Sequence, residues 1–174
     1  KDKSRKGLRL NNYITGCTIL SKKKFLKYIL PIPKGTKYLI HDYWIAIILS
    51  LKGKITYIEE PLVKYRQHQD NQVGYKMKSK ELKNIDKIRN MFIDVKIELF
   101  DIYCKHDELF DTNERKMNQK ALEYFKELKN VKNICCKNWL FFWKLYYYEN
   151  TIYKIANFII LNVPIIAKQI YKRR

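Results

Sequence analysis

Leu82, Ile85, Ile88, Phe92, Val95, Leu99 and Ile102 recur every three or four residues. That spacing draws one apolar stripe along a helix of about seven turns, and a chain carrying such a stripe must supply other elements to cover it. Three more helical patterns follow. "KHDELFDTN" breaks the first; a second starts after Thr112 or Asn113 and turns Met117, Ala121, Tyr124, Phe125 and Leu128 inward. A third begins near Cys135 in "CCKNWLFFWKLYYYEN", and the last runs from Thr151 with Ile152, Ile155, Ala156, Ile159, Ile160 and Val163, ahead of a kink at Pro164.

The first 76 residues read differently. "YITGCTILS", Tyr13 to Ser21, is rich in β-branched residues and predicts a strand, with Gly16 marking a bulge or a close approach of backbone to a ligand. "KKKFLKYIL" predicts a short helix closed by "PIPKG". Asp42 to Leu51 predicts another, with Asp42 as its N-cap and Gly53 as its stop. "KITYIEEPLVKYRQH" gives two strand-like runs bent at Pro61. Two or three strands separated by helices do not make a stable sheet, so this part of the chain expects partner strands from elsewhere. The strand pattern gives way to the helix pattern between Gly74 and Ser79. The expected fold class is therefore α+β, mostly α, with a segment 1–76 followed by a helical region 77–174.

Charge narrows the partners. At 174 residues and 47% hydrophobic the chain can bury a real core, and its net charge of +19 comes mainly from lysine. Lysine suits solvated faces and diffuse attraction to anions, whereas base recognition favours arginine. The lysines are spread along every helix and no nucleic-acid motif occurs, so no nucleic-acid partner is expected. Joint abundance of Lys, Ile, Asn and Tyr is also what an AT-rich coding sequence produces. The four cysteines, Cys17, Cys104, Cys135 and Cys136, form no CxxC pair and read as reduced thiols of a cytoplasmic protein. "IANFIILNVPIIA", Ile155 to Ala167, is shorter than the ~20 residues of a spanning helix and contains Asn162 and Pro164. The aromatic, basic tail from Trp139 to Arg174 suits an interfacial helix on an anionic membrane surface, which would be the inner face of the cytoplasmic membrane.

The chemistry concentrates in "HDYW", residues 41 to 44. Asp42 before an apolar helix is either a cap or a general base that takes a proton from a substrate hydroxyl. His41 alone reads as a surface histidine. Tyr43 and Trp44 read as core aromatics, although such rings also stack on carbohydrate. His68 follows Arg66 in "YRQHQDN", a loop that could hold a phosphate or complete a metal shell; one histidine without spaced acidic ligands is a weak metal signal.

"NYITGCTILSKKKF", then "HDYW", then "GKITYIEEPLVKYRQHQDNQVG" resembles the C-terminal half of the catalytic domain of family 2 glycosyltransferases of the GT-A group, especially bacterial rhamnosyltransferase-like members. The resemblance runs from Asn12 to Gly74. It implies a GT-A, Rossmann-like α/β portion in 1–76 ahead of a helical tail. It implies Asp42 as catalytic base, with Thr15, Gly16, Cys17, His41, Tyr43, Trp44 and Arg66 on the substrates and His68 near the metal and diphosphate. Members of the family hold Mg or Mn on a DxD motif. No D-x-D occurs in this sequence, so the chain is expected to be a C-terminal fragment with no tightly bound metal of its own, inactive alone. The implied partners are a nucleotide-sugar donor and a glycan or lipid-linked acceptor, and the surface left by the missing half is open to self-association. The alternative is a basic helical module that binds anionic membrane or nucleic acid.

Overall fold

The computed structural model describes residues 5–64, 66, 85–130, 139–146 and 151–163. Seven α-helices run through them: α1 Arg5–Leu8, α2 Leu26–Ile29, α3 His41–Lys52, α4 Ile85–Lys105, α5 Thr112–Asn130, α6 Trp139–Leu145 and α7 Thr151–Asn162. Short 3-10 turns cover Gly16–Thr18, Lys23–Phe25 and Asp107–Leu109.

The apolar stripe of α4 is covered by α5, which returns beside it after a short connection. A reciprocal capping box starts α5. The Glu114 N–H donates to Asp111 Oδ1 at 2.9 Å and the Asp111 N–H to Glu114 Oε2 at 3.4 Å, which satisfies two backbone donors that a helix start leaves unpaired. Between the two helices Phe100 stacks on Phe125 at 5.8 Å, and Lys129 pairs with Asp94 at 2.7 Å. The i, i+3, i+4 spacing of α5 does what periodicity dictates: Ala121, Tyr124, Phe125 and Leu128 are buried and Met117 packs at the margin. α6 and α7 complete this layer through Phe142, whose ring lies 4.4 Å from Tyr146 and 5.2 Å from Phe158. Buried Arg89 of α4 donates to the Leu128 and Leu161 carbonyls, at 2.7 and 3.1 Å, and so ties down the C-terminal turns of α5 and α7 at once.

The amino-terminal segment and α3 pack into the same core as α4 and α5. Tyr43 donates its hydroxyl to the Leu8 carbonyl at 2.7 Å, and Trp44 its indole N–H to the Ile29 carbonyl at 2.8 Å. The buried Lys96 ammonium of α4 donates to the Leu10 carbonyl and to Asn11 Oδ1. Arg9 donates to the Glu114 carbonyl at 2.9 Å and to Asn118 Oδ1. Glu98 of α4 accepts three consecutive backbone N–H groups: Lys37 at 2.8 Å on one oxygen, Tyr38 and Leu39 at 2.7 Å each on the other. Those residues lead directly into α3, so Glu98 fixes where that helix begins. The 76/77 boundary expected from sequence falls outside the described residues.

The α+β class with a Rossmann-like, GT-A portion is corrected here, because no strand forms among the described residues. Tyr13–Ser21 is extended only at its ends. At its centre Thr18 donates its N–H and its hydroxyl to the Thr15 carbonyl, at 2.9 and 2.7 Å, and this local bonding closes a 3-10 turn where a ladder would run. Residues 54–64 have strand composition, yet Tyr57, Ile58, Leu62 and Val63 are exposed and no ladder pairs this segment. β-propensity reports fit to a half-buried pleated surface, and with no neighbouring strand it makes none. The expected cap is corrected as well. α3 starts at His41 with Ile40 as its N-cap, which makes no side-chain cap bond, and Asp42 lies inside the first turn with its carboxylate bonded elsewhere.

Two buried phenols couple this core to pH. Burial pushes Tyr43 and Tyr103 well above the ordinary tyrosine value. The folded protein keeps both protons in a range where the unfolded chain releases them, so their contribution to stability is complete below the unfolded value near 10 and is lost as pH rises above it. Thermal melts should therefore be flat from about pH 7 to 9 and fall above about pH 10, and Tyr103→Phe should shallow that alkaline fall. An identical alkaline slope in the variant would remove Tyr103 as a source.

Candidate active site

Gly16 and the start of α3 come together across 26 residues of sequence. The Gly16 N–H donates to Asp42 Oδ2 at 3.2 Å, and Asn12 Nδ2 donates to Asp42 Oδ1 at 3.2 Å. Asn12 is itself fixed, since its Oδ1 accepts the Ile14 N–H at 3.0 Å in the local turn that asparagine favours. Each carboxylate oxygen thus has one donor. A carboxylate offers about four lone-pair sites, so each oxygen keeps room for a further proton or hydrogen bond. Asp42 is 7% exposed and held in one orientation, which is how a base is positioned in advance of its substrate.

Gly16 is required by closeness, since its φ is unexceptional. A Cβ there would lie 3.2 Å from His41 Nε2 and 3.3 Å from Asp42 Cβ. The absence of a side chain lets the 3-10 turn lie directly over the first turn of α3. The sequence predicts a bulge or an approach to a ligand at Gly16; what lies close to it in the structure is this chain's own Asp42 and His41.

The remaining candidates divide. Thr15 and Cys17 flank Gly16 on the exposed surface of the turn, and Cys17 is a free thiol. His41 is exposed beside Gly16. Tyr43 and Trp44 face the core, each committed to a backbone carbonyl, and Trp44 also packs 5.1 Å from the His106 ring. Arg66 is exposed, beyond the 54–64 segment. His68 lies outside the described residues. Among the described residues no group of three or more His, Cys, Asp or Glu side chains is placed to hold a metal ion.

Sequence reasoning missed Asn12 and Glu98. Asn12 carried a signal, a short amide just ahead of a β-branched run, where it bonds its own backbone and leaves an NH₂ to spare. Glu98 carried none, because its partners lie 59 to 61 residues away. No family model matches the sequence, and neither a curated protein nor a solved structure matches it. Among the described residues no helix is long and apolar enough to cross a membrane.

Proposed function

We propose that this chain carries the acceptor side and the general base of an inverting glycosyltransferase. The observation that supports the reading is the pre-set carboxylate of Asp42 under Gly16, the two positions that the resemblance makes the base and the substrate-side turn. In this reaction Asp42 takes the proton of an acceptor hydroxyl, and the oxygen forms a bond to the anomeric carbon of a nucleotide sugar. The bond from that carbon to the diphosphate breaks, its electron pair leaves with the diphosphate, and one displacement inverts the configuration. The acceptor would reach the carboxylate from the exposed border that Thr15, Cys17 and His41 form around the close-packed Gly16 turn. The acceptor is a glycan or a lipid-linked sugar, and the protein works in the cytoplasm against the inner face of the cytoplasmic membrane.

The sequence has no D-x-D, so the donor's diphosphate is held by residues outside these 174. The complete enzyme should release nucleoside diphosphate from a nucleotide sugar when acceptor is present, and the new linkage should have the anomeric configuration opposite to the donor's by NMR. The 174-residue chain alone should release none above a blank. A complete enzyme that consumes no nucleotide sugar from a broad donor panel, or one that retains configuration, would sink the reading; turnover by the isolated chain would refute its dependence on the missing half.

A further inference from the structure

The structure brings together a basic surface that neither the base nor the core uses. α2 packs on α3, with the Phe25 ring 3.0 Å from where a Cβ on Gly53 would stand. The contact gathers two stretches that are distant in sequence. Lys27 and Lys52 both lie over the Tyr28 ring, at 4.9 and 5.5 Å, and Lys24 over Phe25 at 5.3 Å. Lys22, Lys23 and Lys54 are exposed on the same two stretches. From Lys3 to Ile58 the sequence has one carboxylate, Asp42, and it is buried; the exposed pair Glu59 and Glu60 follows directly, so these two stretches themselves carry only positive exposed charge.

Large aliphatic side chains stand in this field. Leu20 is 98% exposed and Leu30 is 56% exposed, with Leu26 and Tyr28 about half so. Leaving such side chains in water is costly, and neither a phosphate nor the backbone of a nucleic acid relieves that cost. A bilayer with anionic headgroups does, by taking the leucines into the boundary between headgroups and acyl chains and the lysines into its negative surface potential. We propose that the surface formed by residues 20–30 and 52–54 docks the protein on an anionic membrane. The inference goes beyond the glycosyltransferase reading and does not need it, since docking is measured without any transfer. Lys52 and Asp42 lie at opposite ends of the same helix, about 15 Å apart by helical rise.

The test is co-sedimentation of the whole chain with phosphatidylcholine vesicles, with and without phosphatidylglycerol. Binding should require phosphatidylglycerol and weaken as salt is raised. Lys22→Glu/Lys24→Glu/Lys27→Glu/Lys52→Glu should lower it at least about tenfold, given roughly 1 kcal/mol for each basic residue at such a surface. The same number of reversals in the tail, Lys168→Glu/Lys172→Glu/Arg173→Glu/Arg174→Glu, alters net charge equally and should cost less than about threefold. Leu20→Ser/Leu30→Ser changes no charge and should remove the part of the binding that survives high salt, at unchanged helical circular dichroism. Equal losses from the two sets of reversals, equal binding to both vesicle types, or full binding by the serine variant would each overturn the proposal; the last would leave a general polyanion site in its place.

Discussion

Under the proposed function, Asp42→Asn should lower sugar transfer by about two to four orders of magnitude, the usual contribution of a positioned general base, while donor affinity stays within about twofold. The amide cannot take the acceptor proton. It also has a single acceptor oxygen where the carboxylate uses two, one for Asn12 and one for Gly16, so one of those donors would face an NH₂ group. That loss costs on the order of 1–3 kcal/mol in a buried setting, and urea unfolding measures it separately from the rate. Asp42→Glu keeps the charge and displaces it by one methylene, so it should retain measurable transfer. A folded Asp42→Asn enzyme working within about tenfold of the parent would return Asp42 to a purely structural role, fastening the Gly16 turn to α3.

The helices were legible because their information is local. Periodicity of three and four residues places Ala121, Phe125 and Leu128 on one face whatever the rest of the chain does, and the structure buries all three. The strands were misread for the complementary reason. A run such as Tyr13–Ser21 or Lys54–Lys64 states a preference for a pleated surface, but a strand exists only with a neighbour, and local bonds within Thr15–Thr18 win where none is present. The site was half legible. The sequence marks Gly16 as a bulge or an approach to a ligand and Asp42 as a residue at the mouth of α3, and the structure brings the two against each other. Local pattern gave Asp42 the capping role, whereas α3 starts one residue earlier and the carboxylate turns toward Asn12 and Gly16. Aromatic character alone makes Trp44 a core residue, and its body lies in the core with its single N–H on the Ile29 carbonyl; it is the resemblance that puts this ring on the substrates.

Glu98→Ala should be among the most destabilising single changes in the chain and should also impair the site, although Glu98 touches neither Asp42 nor Gly16 in any bond described above. Its two oxygens hold three successive N–H groups of the segment that enters α3. A charged acceptor contributes about 1.5–3 kcal/mol for each buried bond; Lys37 is exposed and Leu39 is buried, so solvent replaces part of the loss and a net cost of about 2–4 kcal/mol is expected. Glu98→Gln separates charge from geometry. Its single carbonyl oxygen can keep the Tyr38 and Leu39 bonds and sets an NH₂ against the Lys37 N–H, so it should cost less than alanine. Denaturant titrations should rank alanine below glutamine and glutamine below the parent, with an unchanged slope in denaturant. The start of α3 carries Asp42, and displacements near 1 Å can cost about a hundredfold in rate, so transfer by the complete enzyme should fall in the same order under conditions where every variant is folded. If both variants unfold at the parent's midpoint, the three bonds are exchanged for water at no net cost and the placement of α3 rests on its core packing and on the bonds of Asp42, Tyr43 and Trp44.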